Sequence, residues 1–340
     1  MFDVITFGSA TRDIFLKSDL FRVVHDPKHL ERLGFPTGEA QCFALGSKIE
    51  IKDQFETLGG GAANAAVTFA RQGFKVGTFA KVGNDRNGLA AALDLKAERI
   101  TSFFARDKKF ATSYSVILVS PNGERTILDY RGASQYFKKN EVQFNKLSAR
   151  WAYISPGHLD LSLVREVVEH LHSRGTKITI NPSQFYLKMG IGKLAPLLKK
   201  IDVVMMNREE AAYLLGIKYE EERKIFKKFD ELIKGIAVMT DGPRGVLVSD
   251  GKKVYRAGTF KEKKILDRTG AGDAFGSGFT AALARRSEIS YASIHEAIRL
   301  GSANATSVVE VVGATPGILT RREFGSAPRW HHLPIMITKI

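Results

Sequence analysis

Short apolar runs alternate along most of the chain with small-residue or amphipathic stretches. Runs that predict strands lie at 4–8, 75–83, 151–157, 177–183, 202–207 and 236–242. Helical spacing, with glycines at several ends, predicts helices over 60–73, 88–98, 161–175, 192–200, 208–216, 220–235, 270–285 and 291–310. Continuously apolar strands separated by helices are typical of a parallel sheet covered on both faces. The pattern therefore predicts an α/β fold in which the loops after the strands meet along one rim, where ligands bind.

Two stretches interrupt this alternation. Residues 11–57 hold short apolar pieces without a clear helix, and residues 100–131 alternate apolar and polar positions around PNGE (121–124), which predicts a hairpin. We expect both to form a small β-sheet that serves as a lid on a main body of residues 1–320. In the extension 321–340, the run LPIMITKI predicts a strand that adds to a sheet edge or to a partner.

Composition narrows the function classes only slightly. The 340 residues are 44% hydrophobic and 26% charged, with no signal-peptide pattern and no apolar run long enough to span a bilayer. Cys42 is the single cysteine, which excludes intrachain disulfides and CxxC metal sites. We therefore expect a soluble, cytoplasmic protein. The net charge of +15 comes from basic clusters interleaved with acids, which favours a solvated basic surface over nucleic-acid binding.

The segment DRTGAGD (267–273) places glycines and an aspartate at the start of a predicted helix. Gly270 and Gly272 let backbone N–H groups turn outward, and the positive end of the helix dipole adds to them, which predicts an anion hole. Asp273 at the same helix start is expected to stay ionised and to accept a proton from an attacking hydroxyl. A glycine loop that is merely capped by an aspartate is the alternative.

Polar residues at other strand ends can share this rim. Asn64 begins a small-residue helix and suits a polyol hydroxyl, and Asp13 after the first strand suits paired hydroxyls. Asn207 and Glu210 lie one helical turn apart and suit magnesium waters and phosphate oxygens. The loop TDGPRG (240–245) can face a nucleotide. Close packing, helix capping and plain turns are the structural alternatives for these residues.

Five motifs therefore occur in order: GGGAAN, KVGNDRNG, NREE, TDGPRG and DRTGAGDAF. Together they resemble those of the PfkB family of the ribokinase-like superfamily, from Phe2 to about Leu319. The resemblance implies a ribokinase-like fold and an ATP-dependent phosphotransferase that moves the γ-phosphoryl, with Mg²⁺, to a hydroxymethyl group of a small sugar. A dinucleotide-binding oxidoreductase is disfavoured because GxGxxG is missing after the first strand.

The resemblance also implies roles for individual residues. Asp273 matches the general base, and the anion hole is matched by Gly270, Ala271 and Gly272. The substrate side is matched by Asp13, Gly60, Gly61 and Asn64. The nucleotide and magnesium side is matched by Asn207, Glu210, Thr240, Gly242, Gly245 and Asn304. Asp267 and Thr269 match the neighbourhood of a monovalent-cation site, for K⁺, found in part of the family.

Departures from the family pattern leave the acceptor open. Gly61 stands where sugar kinases often carry a lysine, so that contact with the sugar is missing. Arg268 stands where a small or hydroxyl residue is frequent, and we expect its guanidinium near the ATP phosphates rather than in competition with a potassium ion. Adjacent histidines, His331 and His332, do not share a helix face and are not expected to bind a metal.

A nucleoside kinase, similar to adenosine kinase, is the main alternative. The excursion from Asp13 to Gly59 is longer than in minimal sugar kinases. Aromatic side chains that can stack a base are Phe15, Phe21, Phe43, Phe103 and Phe110, although such residues are more often lid core. A homodimer is a further expectation, because lids of this superfamily often pair. A non-catalytic nucleic-acid binder on the same scaffold is a remote alternative.

Overall fold

The computed structural model describes residues 1–33, 38–120 and 125–339. The strands in chain order are β1 Phe2–Gly8, β2 Thr11–Lys17, β3 Arg22–His25, β4 Glu39–Cys42, β5 Asp53–Gly59, β6 Val76–Gly83, β7 Thr101–Asp107, β8 Tyr114–Val119, β9 Arg125–Tyr130, β10 Ala149–Ser155, β11 Lys177–Ile180, β12 Val203–Asn207, β13 Ile236–Thr240, β14 Val246–Ser249, β15 Lys253–Ala257 and β16 Ile335–Lys339. The helices are α1 Pro27–Leu30, α2 Gly61–Arg71, α3 Arg86–Ala97, α4 Leu161–His172, α5 Gln184–Leu187, α6 Ile191–Leu198, α7 Arg208–Leu215, α8 Glu222–Leu232, α9 Ala271–Ala284, α10 Tyr291–Val309 and α11 Arg321–Ser326.

Ten of the described strands form one sheet, in the order β16-β15-β14-β13-β12-β11-β10-β1-β6-β7. From β13 to β7 all neighbouring strands run parallel, whereas β14, β15 and β16 add antiparallel pairs at one edge. The predicted α/β class with a mostly parallel sheet is therefore confirmed. The sequence analysis assigned no element to 246–257, where the short strands β14 and β15 lie.

Alternate side chains of the sheet enter two separate cores. Val4 packs with α2, α9 and α10 on one face, and its neighbour Ile5 packs with α4 and the helices that follow on the other face. Met205 and Met206 divide in the same way. Side chains along a strand alternate between faces, so strands buried on both faces must be apolar throughout. This explains why the predicted strands showed no polar alternation.

A second sheet of four strands has the order β5-β2-β8-β9. The strands β8 and β9 pair antiparallel, as the hairpin prediction required, while the PNGE turn itself (121–124) lies outside the described residues. Strands β3 and β4 form a separate two-stranded ribbon. The predicted lid segments 11–57 and 100–131 thus supply the small sheet and the ribbon, and of their described strands only β7 lies elsewhere.

The exception is β7, which is a correction to the segment 100–131. Strand β7 is the edge strand of the large sheet, paired parallel with β6. Phe103 stacks on Phe79 with ring centroids 4.6 Å apart, while the next residue, Phe104, packs against the opposite core. Because consecutive aromatic side chains bury on the two faces, the strand belongs to a two-sided sheet.

The extension ends in a strand at the sheet edge. β16 pairs antiparallel with β15, which confirms the strand predicted within 333–340. Trp330 anchors the approach to β16, since it is buried against Phe260 with ring centroids 5.1 Å apart. His331 and His332 are exposed beside it. No helix in the described parts of the chain is long and apolar enough to cross a membrane.

Candidate active site

The carboxyl ends of parallel strands and the first turns of α2 and α9 meet at one rim of the large sheet. Ser155 ends β10, Asn207 ends β12 and Thr240 ends β13. Parallel strands present these ends along the same edge, so the loops that follow them surround one site.

Asp273 in the first turn of α9 contacts Asn64 in the first turn of α2. Asn64 Nδ2 donates a hydrogen bond to Asp273 Oδ2 at 3.0 Å. The amide oxygen of Asn64 is buried and has no hydrogen-bond partner among the described residues. A buried acceptor without a donor is costly, so this oxygen is suited to a hydroxyl of a bound molecule.

The Asp273 carboxyl is a stronger base than an ordinary aspartate. Burial raises its pKa, and the hydrogen bond from Asn64 lowers it by less. The net direction is upward, which suits a general base that must accept a proton near neutral pH.

The glycine loop turns into α9 through a left-handed residue. Gly270 has φ 76° and ψ 0°, and a Cβ there would come within 2.5 Å of the Ala314 Cβ. Both the backbone conformation and the close approach therefore require glycine. The first hydrogen bond of the helix runs from Ala274 N to Gly270 O at 2.8 Å.

The amides of the first turn of α9 differ in their availability to an anion. Ala271 N–H donates to the Arg268 carbonyl at 3.4 Å. The N–H groups of Gly272 and Asp273 precede the helical ladder and are the donors that a helix start offers to an anion. The anion hole of residues 270–272 stays a prediction, and within it Gly272 is the residue whose N–H precedes the helical ladder.

Two glycines around the start of α2 lie beside Asp13 and Asp273. A Cβ on Gly59 would collide with the Asp13 carboxylate, and a Cβ on Gly61 would lie 3.2 Å from Asp273 Oδ1. The Cα atoms of residues two positions apart are separated by at most about 7 Å. The short segment 59–61 therefore lies next to both aspartates.

Gly60 and Gly61 act through close packing. Gly60 has φ 91°, and a Cβ there would lie 2.7 Å from the Ser9 carbonyl oxygen. The space that a side chain at Gly61 would need is filled by the hydroxyl of Ser155. The structure thus explains the absence of the family lysine at position 61, since no side chain fits there beside Ser155.

Asp13 belongs to a polar row across the small sheet. The register pairs Asp13 with Thr57 on β5 and with Ser115 on β8, and pairs Ser115 with Asp129 on β9. Directly paired residues share a face of the sheet. Burial raises the pKa of Asp13 to about 6, opposed by hydroxyl donors, and neighbouring carboxylates raise it further. The polar row therefore places carboxylates and hydroxyls side by side on one face of the small sheet.

Asn207 and Glu210 form the cap of α7. The Asn207 side chain accepts from Glu210 N, and Glu210 Oε2 accepts from Asn207 N, both at 2.8 Å. The capping alternative is therefore realised, and it uses one carboxylate oxygen of Glu210. Burial raises the pKa of Glu210, and the negative charge of Asp273 adds to this, so the two carboxylates are close enough to interact.

A mostly apolar cavity of about 240 Å³ lies beside the glycine loop. It is lined by Thr240, Gly242, Pro243, Gly245, Thr259, Glu262, Ile265, Arg268, Ala271, Gly272, Phe275, Ser302, Ala305, Thr306 and Val309. The predicted nucleotide-side residues after β13 and the guanidinium of Arg268 are therefore together in one wall. Gly272 joins this cavity to the Asp273 carboxylate.

The loop after β13 is held by an ionic network. Asp241 accepts hydrogen bonds from Arg244, from Arg208 and from the Tyr219 hydroxyl. These donors, with Arg244 first, hold the pKa of Asp241 well below its usual range. The loop also joins the antiparallel strands β13 and β14. The same segment is therefore both the plain turn named as an alternative and part of the cavity wall.

Asn304 does not line the cavity, although the helix that carries it does, and its role on the nucleotide side stays a prediction. It is fully buried, and its Nδ2 donates to Thr68 Oγ1 at 3.2 Å and to the Ala274 carbonyl at 2.8 Å. Its Oδ1 accepts from Leu319 N at 2.9 Å. Asn304 therefore joins α2, α9 and α10 from within, while Ser302, Ala305 and Thr306 on the same helix line the cavity.

Asp267 and Thr269 lie together, as predicted. Asp267 Oδ1 accepts from Thr269 N at 2.9 Å and from Thr269 Oγ1 at 2.7 Å. The same oxygen is 3.4 Å from Nη1 of Arg125, which begins β9 of the small sheet. A side chain from the predicted lid therefore reaches the loop that precedes the anion hole.

Sequence reasoning missed Ser155, Tyr153 and Arg125. Ser155 ends an apolar strand, and the strand-end rule that selected Asn207 would have found it as well. Tyr153 is fully buried below Gly276, and burial together with the charge of Asp273 raises its pKa. Arg125 carries no local signal, because its partner is far along the chain.

Comparison with known proteins decides the family. A model described as pfkB family carbohydrate kinase matches residues 38–321. The chain belongs to this family. It is 30% identical over 271 residues to a ribokinase from Haemophilus influenzae, covering 78% of this chain and 85% of that protein. It is 26% identical over 263 residues to a cytidine kinase from Thermococcus kodakarensis, covering 75% and 88%.

The fold agrees with the family. The crystal structure of a probable sugar kinase from Rhizobium etli matches with a TM-score of 0.78 and 23% identity, over 96% of this chain and 99% of that one. The pfkB-family assignment confirms the predicted ribokinase-like fold and the predicted class of enzyme, an ATP-dependent kinase. The carbohydrate kinase is thus a transferase, and the acceptor is a small molecule of the sugar or nucleoside type.

Proposed function

We propose that this kinase transfers the γ-phosphoryl of ATP to a hydroxymethyl group of a small sugar, with Asp273 as general base. The observation that carries the proposal is the position of Asp273. Its neighbour Gly272 lines the apolar cavity, its carboxyl lies beside Gly61, and Gly59 on the same short segment lies beside Asp13; we place a polar acceptor pocket between the two carboxyls. Phosphoryl transfer requires positioning and electrostatic stabilisation of this kind, more than covalent catalysis.

The apolar cavity is the nucleotide side of the proposal. A purine ring fits between the apolar face of α10 and the loop that begins at Thr240, where Gly242 and Gly245 permit close approach. Arg268 in the same wall brings a positive charge toward the phosphates. The Gly272 and Asp273 N–H groups then donate hydrogen bonds that stabilise the negative charge of the transferring phosphoryl group.

A magnesium ion that accompanies ATP supplies neutralisation of the phosphate charge. Glu210 is the residue suited to hold it, through water, because capping occupies only one of its carboxylate oxygens. Asn207 contributes by fixing the Glu210 backbone through the reciprocal cap. Acceptance of a proton by Asp273 does not depend on that contact.

The polar pocket is the acceptor side. Asp13 accepts hydrogen bonds from neighbouring hydroxyls of a polyol, and the unpartnered Asn64 oxygen accepts another. Asp273 then removes the proton of the hydroxymethyl group while the oxygen attacks the phosphorus in line with the leaving oxygen of ADP. The small sheet, acting as a lid, excludes water from this step and limits hydrolysis of ATP.

A nucleoside acceptor is the second candidate, because a cytidine kinase is among the relatives of this chain. The positions of three of the five phenylalanines favour the sugar, whereas Phe43 is 43% exposed and Phe21 packs edge-on against it. Phe15 is fully buried within the small sheet and Phe103 stacks in the large sheet, so neither presents a free ring to a base. Phe110 is stacked on Tyr136 with centroids 4.2 Å apart.

The test is a panel of ribose, fructose, cytidine and adenosine, with ADP formation measured for the native chain and for Asp273→Asn. We expect turnover with a sugar, and a loss of about a thousandfold in kcat in the variant, because the amide keeps the shape of the base without its basicity. ATP should still bind to the variant, measured by calorimetry. Turnover of nucleosides alone would replace the sugar assignment, and an active variant would contradict the role of Asp273.

A further inference from the structure

We propose that the Arg125 guanidinium takes the place of a monovalent cation at Asp267, so that the kinase works without K⁺ and its lid is tied to the anion-hole loop. The inference rests on the proposed function, since it concerns the loop that leads into the proposed anion hole. The residues predicted to hold a monovalent cation, Asp267 and Thr269, instead contact each other, and Asp267 also contacts Arg125.

The Asp267 carboxylate is already engaged on both oxygens. Oδ1 accepts two hydrogen bonds from Thr269 and contacts Arg125, and Oδ2 accepts from Gly313 N at 3.0 Å. The carboxylate is buried, with 5% of its side chain exposed. At Oδ1, which already has three donors, a monovalent cation would have to displace one of them. The Asp267 and Thr269 pair therefore does not fit a K⁺ ligand set in this chain.

A guanidinium at this place also repels a second cation. Arg125 Nη1 is 3.4 Å from Asp267 Oδ1, and the arginine side chain is only 30% exposed. A cation bound to this carboxylate would lie close to the guanidinium, and like charges at short range repel each other. Arginine stays protonated at every physiological pH, so the positive charge is permanent.

The same charge is needed by its neighbours. Asp13, Asp129 and Asp267 are close enough that the latter two raise the pKa of the first. Arg125 and Asp129 are four residues apart on β9 and share a face of the strand, so the guanidinium lies on the side where the carboxylates converge. Asp129 has its own partner in Arg131, so the charge of Arg125 compensates Asp267, as a bound cation would otherwise do.

Arg125 is a positioning residue, because it acts through Asp267. The Asp267 carboxylate fixes Thr269, the residue before Gly270, and also Gly313, the residue before the Ala314 that packs on Gly270. A lid that carries Arg125 to Asp267 therefore sets the loop from which the Gly272 and Asp273 amides project. Lid closure and formation of the anion hole become one event.

The test compares KCl with tetramethylammonium chloride at matched ionic strength. The native kinase should show equal kcat in both salts. Arg125→Ala should lose about tenfold in kcat in tetramethylammonium, which corresponds to about 1.4 kcal/mol, and should recover most of it in KCl. A thermal-shift measurement should show stabilisation by KCl over tetramethylammonium in the variant only.

Arg150→Ala is the matched control. Its guanidinium pairs with Asp3 at 3.0 Å at the opposite end of the sheet, so its removal should create no response to KCl. A native enzyme that is active but needs K⁺ would overturn the inference and leave the proposed function intact. So would an Arg125→Ala variant that loses activity equally in both salts. A native chain that phosphorylates no sugar or nucleoside in either salt would instead remove the proposed function.

Discussion

At the scale of single residues, the chemistry of the site depends on two carboxyls whose surroundings raise their pKa values. Burial raises the pKa of Asp273, and the hydrogen bond from the Asn64 amide lowers it again in part. Burial in the small sheet raises the pKa of Asp13 to about 6. In the proposed mechanism the first must accept a proton and the second must stay ionised to accept hydroxyl hydrogen bonds. Their neighbours therefore control the pH range in which the enzyme works.

Asn64→Leu should move the acid limb of kcat/KM to higher pH. The hydrogen bond from Asn64 lowers the pKa of Asp273, so its loss raises that pKa, and more of the base is protonated at a given pH. At neutral pH we expect kcat/KM to fall by about tenfold, with partial recovery in alkaline buffer. A pH profile of the variant parallel to that of the native enzyme would contradict this.

Asp13→Asn should stabilise the fold at high pH while it weakens the acceptor site. The folded pKa of about 6 exceeds the unfolded value of 3.8, so the cost of the buried charge is absent below the lower value and complete above the higher one. The gain should reach up to about 3 kcal/mol near pH 8 and vanish near pH 4, as measured by urea denaturation. The acceptor KM should rise by about tenfold or more.

At the scale of elements, the start of α9 combines two glycines with different tasks. Gly270 is left-handed and packed on Ala314, whereas Gly272 is exposed, helical and without a neighbour within 4 Å of an added Cβ. Gly270 is required by its backbone conformation. Gly272 lines the cavity, so we expect a side chain there to obstruct a ligand and not the fold. The two positions can therefore be separated by substitution.

Gly270→Ala should destabilise the protein by about 2 kcal/mol or more, because the alanine is strained in a left-handed conformation and meets Ala314. Gly272→Val should keep the melting temperature within a few degrees and raise the KM for ATP, because its side chain enters the cavity. Thermal denaturation and steady-state kinetics on both variants check this. Equal loss of stability in the two would show that Gly272 also serves the fold.

The parallel strands and their helices could be predicted because each apolar run is local in sequence. The edge strands were harder: β14 and β15 are four- and five-residue strands, and β7 lies in a stretch that alternates like a lid strand. In the site, Asp273 and Asn64 follow from glycine-rich helix starts, and Glu210 follows from a strand end. Asn304 could not be placed, because neighbouring residues on one helix differ only in the direction of their side chains.

At the scale of the whole molecule, the homodimer stays a prediction, and the exposed face of the small sheet is the surface through which two copies would pair. Leu128 and Tyr130 are 54% and 39% exposed, on the face of the small sheet opposite Asp13 and Asp129. If two lids pair through this face, Leu128→Glu should convert the dimer to a monomer in light scattering, since a buried unpaired charge is costly. A native chain that is already monomeric at assay concentration would exclude pairing.

The contact between Gly61 and Ser155 constrains how this enzyme can change its acceptor by mutation. Any side chain at position 61 collides with the Ser155 hydroxyl, lies 2.8 Å from the Ser155 Cβ and approaches Asp273. A lysine at this position, as in related sugar kinases, is therefore inaccessible in one step. Shortening of position 155 must come first, so the order of the two substitutions matters as well as their identity.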